Sequence, residues 1–182
     1  MKRFWILIGI VCVAGMGIAL AMGSGSRQAA SDRSGPLKDV GSARRTEIPD
    51  FQVATLDGRV LQLSALKGKV VIVDFWATWC PPCLEEVPHF NELYTQYKGK
   101  GFEMIGIALD EEGPGPVASF VKDQRVSYPV AMGNDRLLQG FGGILGLPTT
   151  FVLDKNGRVA HKQIGYQEKE VFEKEIQQLL AE

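Results

Sequence analysis

Cysteine and histidine are scarce in this chain, with three cysteines and two histidines among 182 residues. So few thiols exclude a small scaffold stapled by several disulfides. A zinc site lacks ligands too: beside Cys80 and Cys83 there are only Cys12, inside an apolar N-terminal segment, and the separated His89 and His161. An excess of charge is also missing, since 20 Lys and Arg against 21 Asp and Glu leave a net charge of -1. Without a basic stripe interleaved with aromatics, a nucleic-acid partner is not expected. No GxGxxG or GxxxxGK[ST] loop follows a strand, so no nucleotide cofactor is expected, and no metal. Internal repeats are absent. What is there, at 45% hydrophobic and 23% charged residues, fits one globular domain plus an extension.

Two of the three cysteines stand together in Trp79-Cys80-Pro81-Pro82-Cys83, directly after the apolar run Val70-Val71-Ile72-Val73 and the residues that extend it. A helix starting at Cys80 would place that thiol where free backbone N–H groups and the positive end of the helix dipole favour the thiolate. Cys83 would follow one turn on. Two prolines suit a helix start, where a missing N–H costs little and the fixed φ is already helical. Such a pair can exchange disulfides, one thiolate attacking and the other resolving the mixed intermediate. A purely structural bridge closes too small a loop to stabilise much. Two inert buried thiols would show the same spacing, and it is the strand before and helix after that favour redox use.

The N-terminus carries Lys2 and Arg3, then 19 uncharged, mostly apolar residues over 4–22. As a helix these would rise about 28 Å, close to the hydrocarbon thickness of a bilayer. Residues 1–22 are therefore expected to be an uncleaved membrane anchor, with the positive end inside and the domain outside. The alternative is a signal sequence cleaved near Ala21, since Ala19-Leu20-Ala21 has the small-x-small form. Both readings export the domain, from the cytoplasmic (inner) membrane to its outer, periplasmic side. An exported domain with only one adjacent cysteine pair is better explained by a working dithiol than by structural staples. Residues 23–45 read as a flexible linker, with nine Gly or Ser among positions 23–44 and no aromatic residue.

From Ile48 onward the pattern is that of an α/β domain. Residues 51–56, the turn Asp57-Gly58 and residues 60–63 signal a β-hairpin. Residues 70–75 read as a strand buried on both faces. Cys83, Val87, Phe90, Tyr94 and Tyr97 then recur at helical spacing, until Gly99 and Gly101 end the helix. Residues 102–109 form a second buried strand and 117–125 a helix. Residues 149–154 and 158–164 form a hairpin around Lys155-Asn156-Gly157, and 167–180 a closing helix with Val171, Phe172, Ile176, Leu179 and Leu180 toward the core. Trp76, Met104 and Met132 are expected in the core, His89 facing solvent, and Pro88 is expected to kink its helix.

The residues Asp74-Phe75-Trp76-Ala77-x-Trp79-Cys80-x-Pro82-Cys83, with Pro88 beyond them and Pro148 before an apolar strand, resemble the thioredoxin superfamily over 46–182. The hairpin start, Leu84-Glu85-Glu86-Val87-Pro88 and Gly146-Leu147-Pro148-Thr149-Thr150-Phe151 are similar to the ResA/TlpA-like group of membrane-anchored thiol-disulfide oxidoreductases. The resemblance implies a thioredoxin-like fold, with an N-terminal β-hairpin extension and helices on both faces of a central mixed sheet. It implies that Cys80 is the nucleophile and the more exposed thiol, that Cys83 resolves, and that Pro148 is cis and faces them. Substrate would then pair with main chain near Leu147 as an added strand. Asp74, a carboxyl in an apolar run with a pKa raised by desolvation, is a candidate proton acceptor for the resolving thiol. Glu86 has an active-site role by resemblance, and an exposed helical glutamate is the competing reading. Trp79, Pro81 and Pro82 are expected to line the site.

The same resemblance favours a reductant that draws electrons from a membrane donor of the thiol-transfer type. Its expected acceptors are exported disulfide proteins such as apocytochrome c or oxidase assembly factors. A thiol oxidase on the same fold stays open, because direction depends on the relative stability of the two redox forms. A peroxiredoxin-like peroxidase would want a Pro-x-x-x-Thr-x-x-Cys pattern, which is missing around Cys80 and Cys83. A copper-site assembly protein would want a wider cysteine pair and a histidine in the late loop, where 142–147 offers none.

Overall fold

A computed structural model describes residues 45–182, and every structural statement below is made of these described residues. The expected anchor or signal over 1–22 and the linker up to residue 44 lie outside them. Arg45, the last position of the expected linker, belongs with the fold: its side chain is buried against Asp154 at 3.1 Å and reaches Glu182 at 2.7 Å. No helix among the described residues is long and apolar enough to cross a membrane.

The order of elements is β1 (Thr46–Glu47), β2 (Gln52–Ala54), β3 (Val60–Gln62), a 3-10 turn (Leu63–Leu66), β4 (Val70–Trp76), α1 (Pro81–Tyr97), β5 (Phe102–Ala108), α2 (Pro114–Asp123), β6 (Val130–Met132), α3 (Asp135–Gly140), β7 (Thr149–Leu153), β8 (Arg158–Ile164) and α4 (Lys169–Ala181). Six strands form one mixed sheet in the order β1-β8-β7-β4-β5-β6. β4, β5 and β6 run parallel, while β7 is antiparallel to β4 and to β8. β2 and β3 form the separate N-terminal hairpin, tied to β6 by the Leu56 N–H donating to the Val130 carbonyl at 2.7 Å.

Because side chains alternate along a strand, β4 feeds two cores at once. Val70, Ile72 and Trp76 pack with α1, α2 and α4, through Phe90, Leu93, Val117, Phe172 and Ile176. Val71, Val73 and Phe75 face the other way, onto Leu137 and Phe141 of the α3 region and Val53, Leu63 and Leu66 of the hairpin and 3-10 turn. Helices thus cover both faces of the mixed sheet, as the sequence leads one to expect.

Some boundaries and faces differ from expectation. The hairpin strands shorten to three residues each, and 55–59 form the turn, with the Thr55 N–H on the Arg59 carbonyl. α2 starts at Pro114 itself, proline being well placed at a first helical position. β6 and α3 were not foreseen. Val171 is a correction: it lies at the surface, because Phe172, Ile176 and Leu179 at i, i+4 and i+7 define the buried stripe and Val171 falls beside it. Met132 is half-buried rather than core, and His89 is half-buried rather than solvent-facing. α1 runs on through Pro88, which offers no N–H to the Leu84 carbonyl.

Candidate active site

β4 ends at Trp76, and residues 77–80 carry the chain over to α1. This short link is held by Asp110, just beyond β5: the Thr78 N–H donates to both carboxylate oxygens at 3.2 Å, and the Thr78 hydroxyl donates to the same carboxylate. Trp79 is turned outward and 66% exposed. Cys80 is the N-cap of α1, with Pro81 and Pro82 at the first two helical positions. Prolines have no N–H, so the first backbone donor along α1 is that of Cys83.

Cys80 and Cys83 form a disulfide with an S–S distance of 2.03 Å. Both cysteines are enclosed, at 4% and 2% exposure, so Cys80 is the more accessible by a narrow margin only. Burial of the pair follows from its place in the apolar cluster of α1, β4 and β5.

Two carboxyls share this face. Alternation puts Asp74 between Ile72 and Trp76 on the α1 side of β4, 3% exposed. Its cross-strand neighbour Thr150 donates a hydroxyl to Oδ1 at 3.0 Å. Burial pushes the Asp74 pKa up to about 7 against the opposing effect of that hydrogen bond. Glu86, one turn beyond Cys83 on α1, is 1% exposed, so the reading of an exposed helical glutamate is excluded. Burial raises its pKa to about 8, the charge of Asp74 adds to this, and the Gln167 N–H on Oε1 at 2.8 Å opposes it. Tyr128 completes the group: burial drives its phenol pKa up, with Asp74 and Glu86 adding to the shift. It fits there because β5 offers Gly106 opposite Asp74, where a Cβ would stand 3.0 Å from the Tyr128 ring and 3.1 Å from Trp76 Nε1.

The other wall comes from the turn into β7. Phe75 pairs with Thr149, which places Pro148 beside the end of β4 where the disulfide link departs. The Leu147-Pro148 bond is cis. Pro148 is buried and Leu147 half-buried. The Pro148 carbonyl accepts the Gly165 N–H at 2.8 Å, whereas the N–H and carbonyl of Leu147 make no hydrogen bond among the described residues. Leu145 beside them is 90% exposed. The structure thus sets the Cys80–Cys83 disulfide and Pro82 at the start of α1, with exposed Trp79 and Pro81 on either side of Cys80 in the chain; Asp74 and Glu86 are buried in β4 and α1, and Leu147 with cis-Pro148 leads into β7. Sequence reasoning missed Thr78, Asp110, Gly106, Tyr128, Thr150 and Gln167. All six act through partners distant in the chain, and local spacing carries no signal for them.

Chemically, the arrangement offers a reducible disulfide at a helix start, two buried carboxyls with raised pKa values on the elements that flank it, and an unpaired backbone edge at the turn into β7. The described residues contain no group of three or more His, Cys, Asp or Glu that could hold a metal ion. Comparison with known proteins agrees with this chemistry. The Redoxin family model matches residues 43–180. The chain is 43% identical over 133 residues to the thiol-disulfide oxidoreductase ResA of Bacillus cereus, covering 73% of this chain and 76% of that one. It is 31% identical over 157 residues to ResA of Bacillus subtilis, covering 86% and 80%. A thiol:disulfide interchange protein of the thioredoxin family from Chlorobium tepidum superposes with a TM-score of 0.70 at 37% identity, over 75% of this chain and 97% of that one. On its disulfide site, its thioredoxin-like fold and these relatives, the chain belongs to the Redoxin family and is a thiol-disulfide oxidoreductase similar to ResA.

Proposed function

We propose that this protein is an exported, membrane-tethered reductase of disulfides in other exported proteins. Cys80 attacks the client disulfide, Cys83 resolves the mixed disulfide, and the Asp74 and Glu86 carboxyls form the pair that takes up the one proton of the resolving thiol. Leu147 and Pro148, with Trp79, Pro81 and Pro82 around them, hold the client as an added strand on the free Leu147 backbone. The apolar residues 4–22 behind Lys2 and Arg3 support tethering, with the domain outside the cytoplasmic membrane.

The observation that carries the direction of electron flow is the burial of the pair in an apolar cluster. A disulfide is neutral and suits the apolar cluster that encloses it, whereas a Cys80 thiolate would be desolvated there, with the Cys83 N–H as the first backbone donor of α1. Stabilising the oxidised form relative to the dithiol lowers the reduction potential and makes the dithiol a reductant. Apocytochrome c and oxidase assembly factors fit as clients, because their cysteines must be kept reduced in an oxidising compartment, and a membrane thiol-transfer protein fits as donor.

The reduction potential of the protein, measured by equilibration with glutathione, tests this reading. A value below the glutathione poise of about −200 mV in oxidising compartments supports a reductase. A value well above it, with rapid oxidation of reduced client proteins, makes the protein a thiol oxidase. Cys83→Ser is expected to accumulate mixed disulfides through Cys80, and their partners identify the clients; a Cys80→Ser variant that traps them equally well would reverse the two cysteine roles.

A further inference from the structure

Glu86 and His89 lie one turn apart on α1, under the loop 165–168 that joins β8 to α4. Each carries an orphaned atom. Oε1 of Glu86 accepts the Gln167 N–H, but the equally buried Oε2 has no partner. Nδ1 of His89 is also buried without a partner, while the ring packs against Tyr166 at 6.2 Å between centroids and the residue as a whole reaches the surface. A buried polar atom left unpaired is costly and asks for an explanation. These two are complementary: a protonated carboxyl is a donor, and the lone pair of a neutral imidazole nitrogen is an acceptor. Side chains at i and i+3 have Cβ atoms about 5–6 Å apart, a gap that a rotamer change or one bridging water spans. Three residues further along, exposed Glu92 is ion-paired with Lys169. Glu86, His89 and Glu92 thus stand three residues apart along α1, from a buried carboxyl to solvent.

We propose that His89 is the proton relay of this site, carrying the proton between buried Glu86 and solvent in each round of disulfide exchange. The proposal rests on the roles given above to Cys83 and Glu86, and it holds for either direction of electron flow. In the reducing direction the Cys83 thiol gives its proton to the Glu86 carboxylate. The Cys83 sulfur attacks Cys80 of the mixed disulfide, so that the Cys80–Cys83 bond forms and the Cys80–client bond breaks. The client sulfur leaves as a thiolate and takes a proton from solvent. The dithiol has lost two electrons and the client disulfide has gained two. Glu86 then hands its proton to Nδ1 of His89, and Nε2 releases one to water. Glu86 must have lost its own proton before it can take that of Cys83, and without the relay this loss from beneath its cover limits every turnover, the first included.

Other titratable groups face this path and enter any pH profile. Asp74 from β4 and Tyr128 from the segment before β6 face Glu86, Tyr166 from the loop after β8 faces His89, Glu85 and Glu168 act on Tyr166, and Glu92 pairs with Lys169. The test therefore compares His89 variants with and without Glu86. Reduced protein is mixed with oxidised glutathione, and single turnovers are followed across the imidazole range, roughly pH 5 to 8. His89→Ala is expected to slow exchange at least about tenfold near neutral pH, and added imidazole is expected to restore the rate in proportion to its concentration. His89→Asn keeps an acceptor near the Nδ1 position but carries no proton, and is expected to be as slow as His89→Ala. In a Glu86→Gln background neither His89 change should slow the reaction further. Wild-type rates in the His89 variants, a loss that imidazole does not restore, normal exchange in His89→Asn, or equal slowing in both backgrounds would each overturn the relay. Failure of the wild-type protein itself to exchange with glutathione would instead overturn the thiol-disulfide reading beneath it.

Discussion

Asp74 is a carboxyl whose ionisation is opposed by its surroundings, and that has a sign in the stability of the fold. Below its ordinary pKa of 3.8 the carboxyl is protonated in both the folded and the unfolded chain. Between there and about 7 the unfolded chain has lost the proton while the folded one keeps it, so stability falls as pH rises through this window and levels off above it. Glu86 acts in the same sense, up to about 8. Asp74→Asn is therefore expected to gain on the order of 3 to 4 kcal/mol over the parent between pH 4 and pH 8, read by denaturant unfolding of the oxidised protein at both pH values. A parent whose stability rises with pH over this range would contradict the burial argument. Asp74 could be singled out from the sequence because a charge stood in a run of Val and Phe. Glu86 could not be placed by the same means: its burial depends on the 165–168 loop closing over α1, which no local pattern announces. Thr150 and Gly106 became visible only once the register set them on either side of Asp74.

At the scale of elements, the link from β4 to α1 decides where Cys80 stands, and Asp110 is its clasp. Asp110→Ala leaves the Thr78 N–H without its partner and is expected to cost about 1 to 3 kcal/mol, while Thr78→Val, which removes only the hydroxyl donor, is expected to cost about 1 kcal/mol. Urea unfolding measures both, and identical losses in the two variants would mean that the backbone hydrogen bonds contribute nothing. β4, α1, β5 and α4 were legible because each is long enough to show its period, as a continuous apolar run or an i, i+3, i+4 stripe. β6 has three residues and α3 six. Their existence depends on tertiary contacts: the Leu56 N–H on the Val130 carbonyl for β6, and Asn134 accepting the Leu137 N–H at 3.0 Å for α3.

In the molecule as a whole, the first and last described residues are fastened together. Arg45 pairs with Glu182 and with buried Asp154, and Asp154 also binds Arg158 at 2.8 Å. The Asp154 pKa is lowered although burial opposes this, through Arg158 and Arg45. Asp154→Ala would leave the buried Arg45 guanidinium half-paired and is expected to cost about 3 to 5 kcal/mol, seen as a lower Tm; a loss below about 1 kcal/mol would class the network with ordinary surface ion pairs. The mixed sheet with helices on both faces was readable from the pattern, whereas this clasp was not, because Arg45 reads as linker by composition. Trp79 has one more consequence. Trp76 is buried and Trp5 lies outside the described residues, so Trp79 is the described indole that stands open to solvent, immediately before Cys80. A disulfide quenches a touching indole more than a dithiol does, so the emission of Trp79 is expected to change between the oxidised and reduced protein and to serve as an optical gauge of its state without any label.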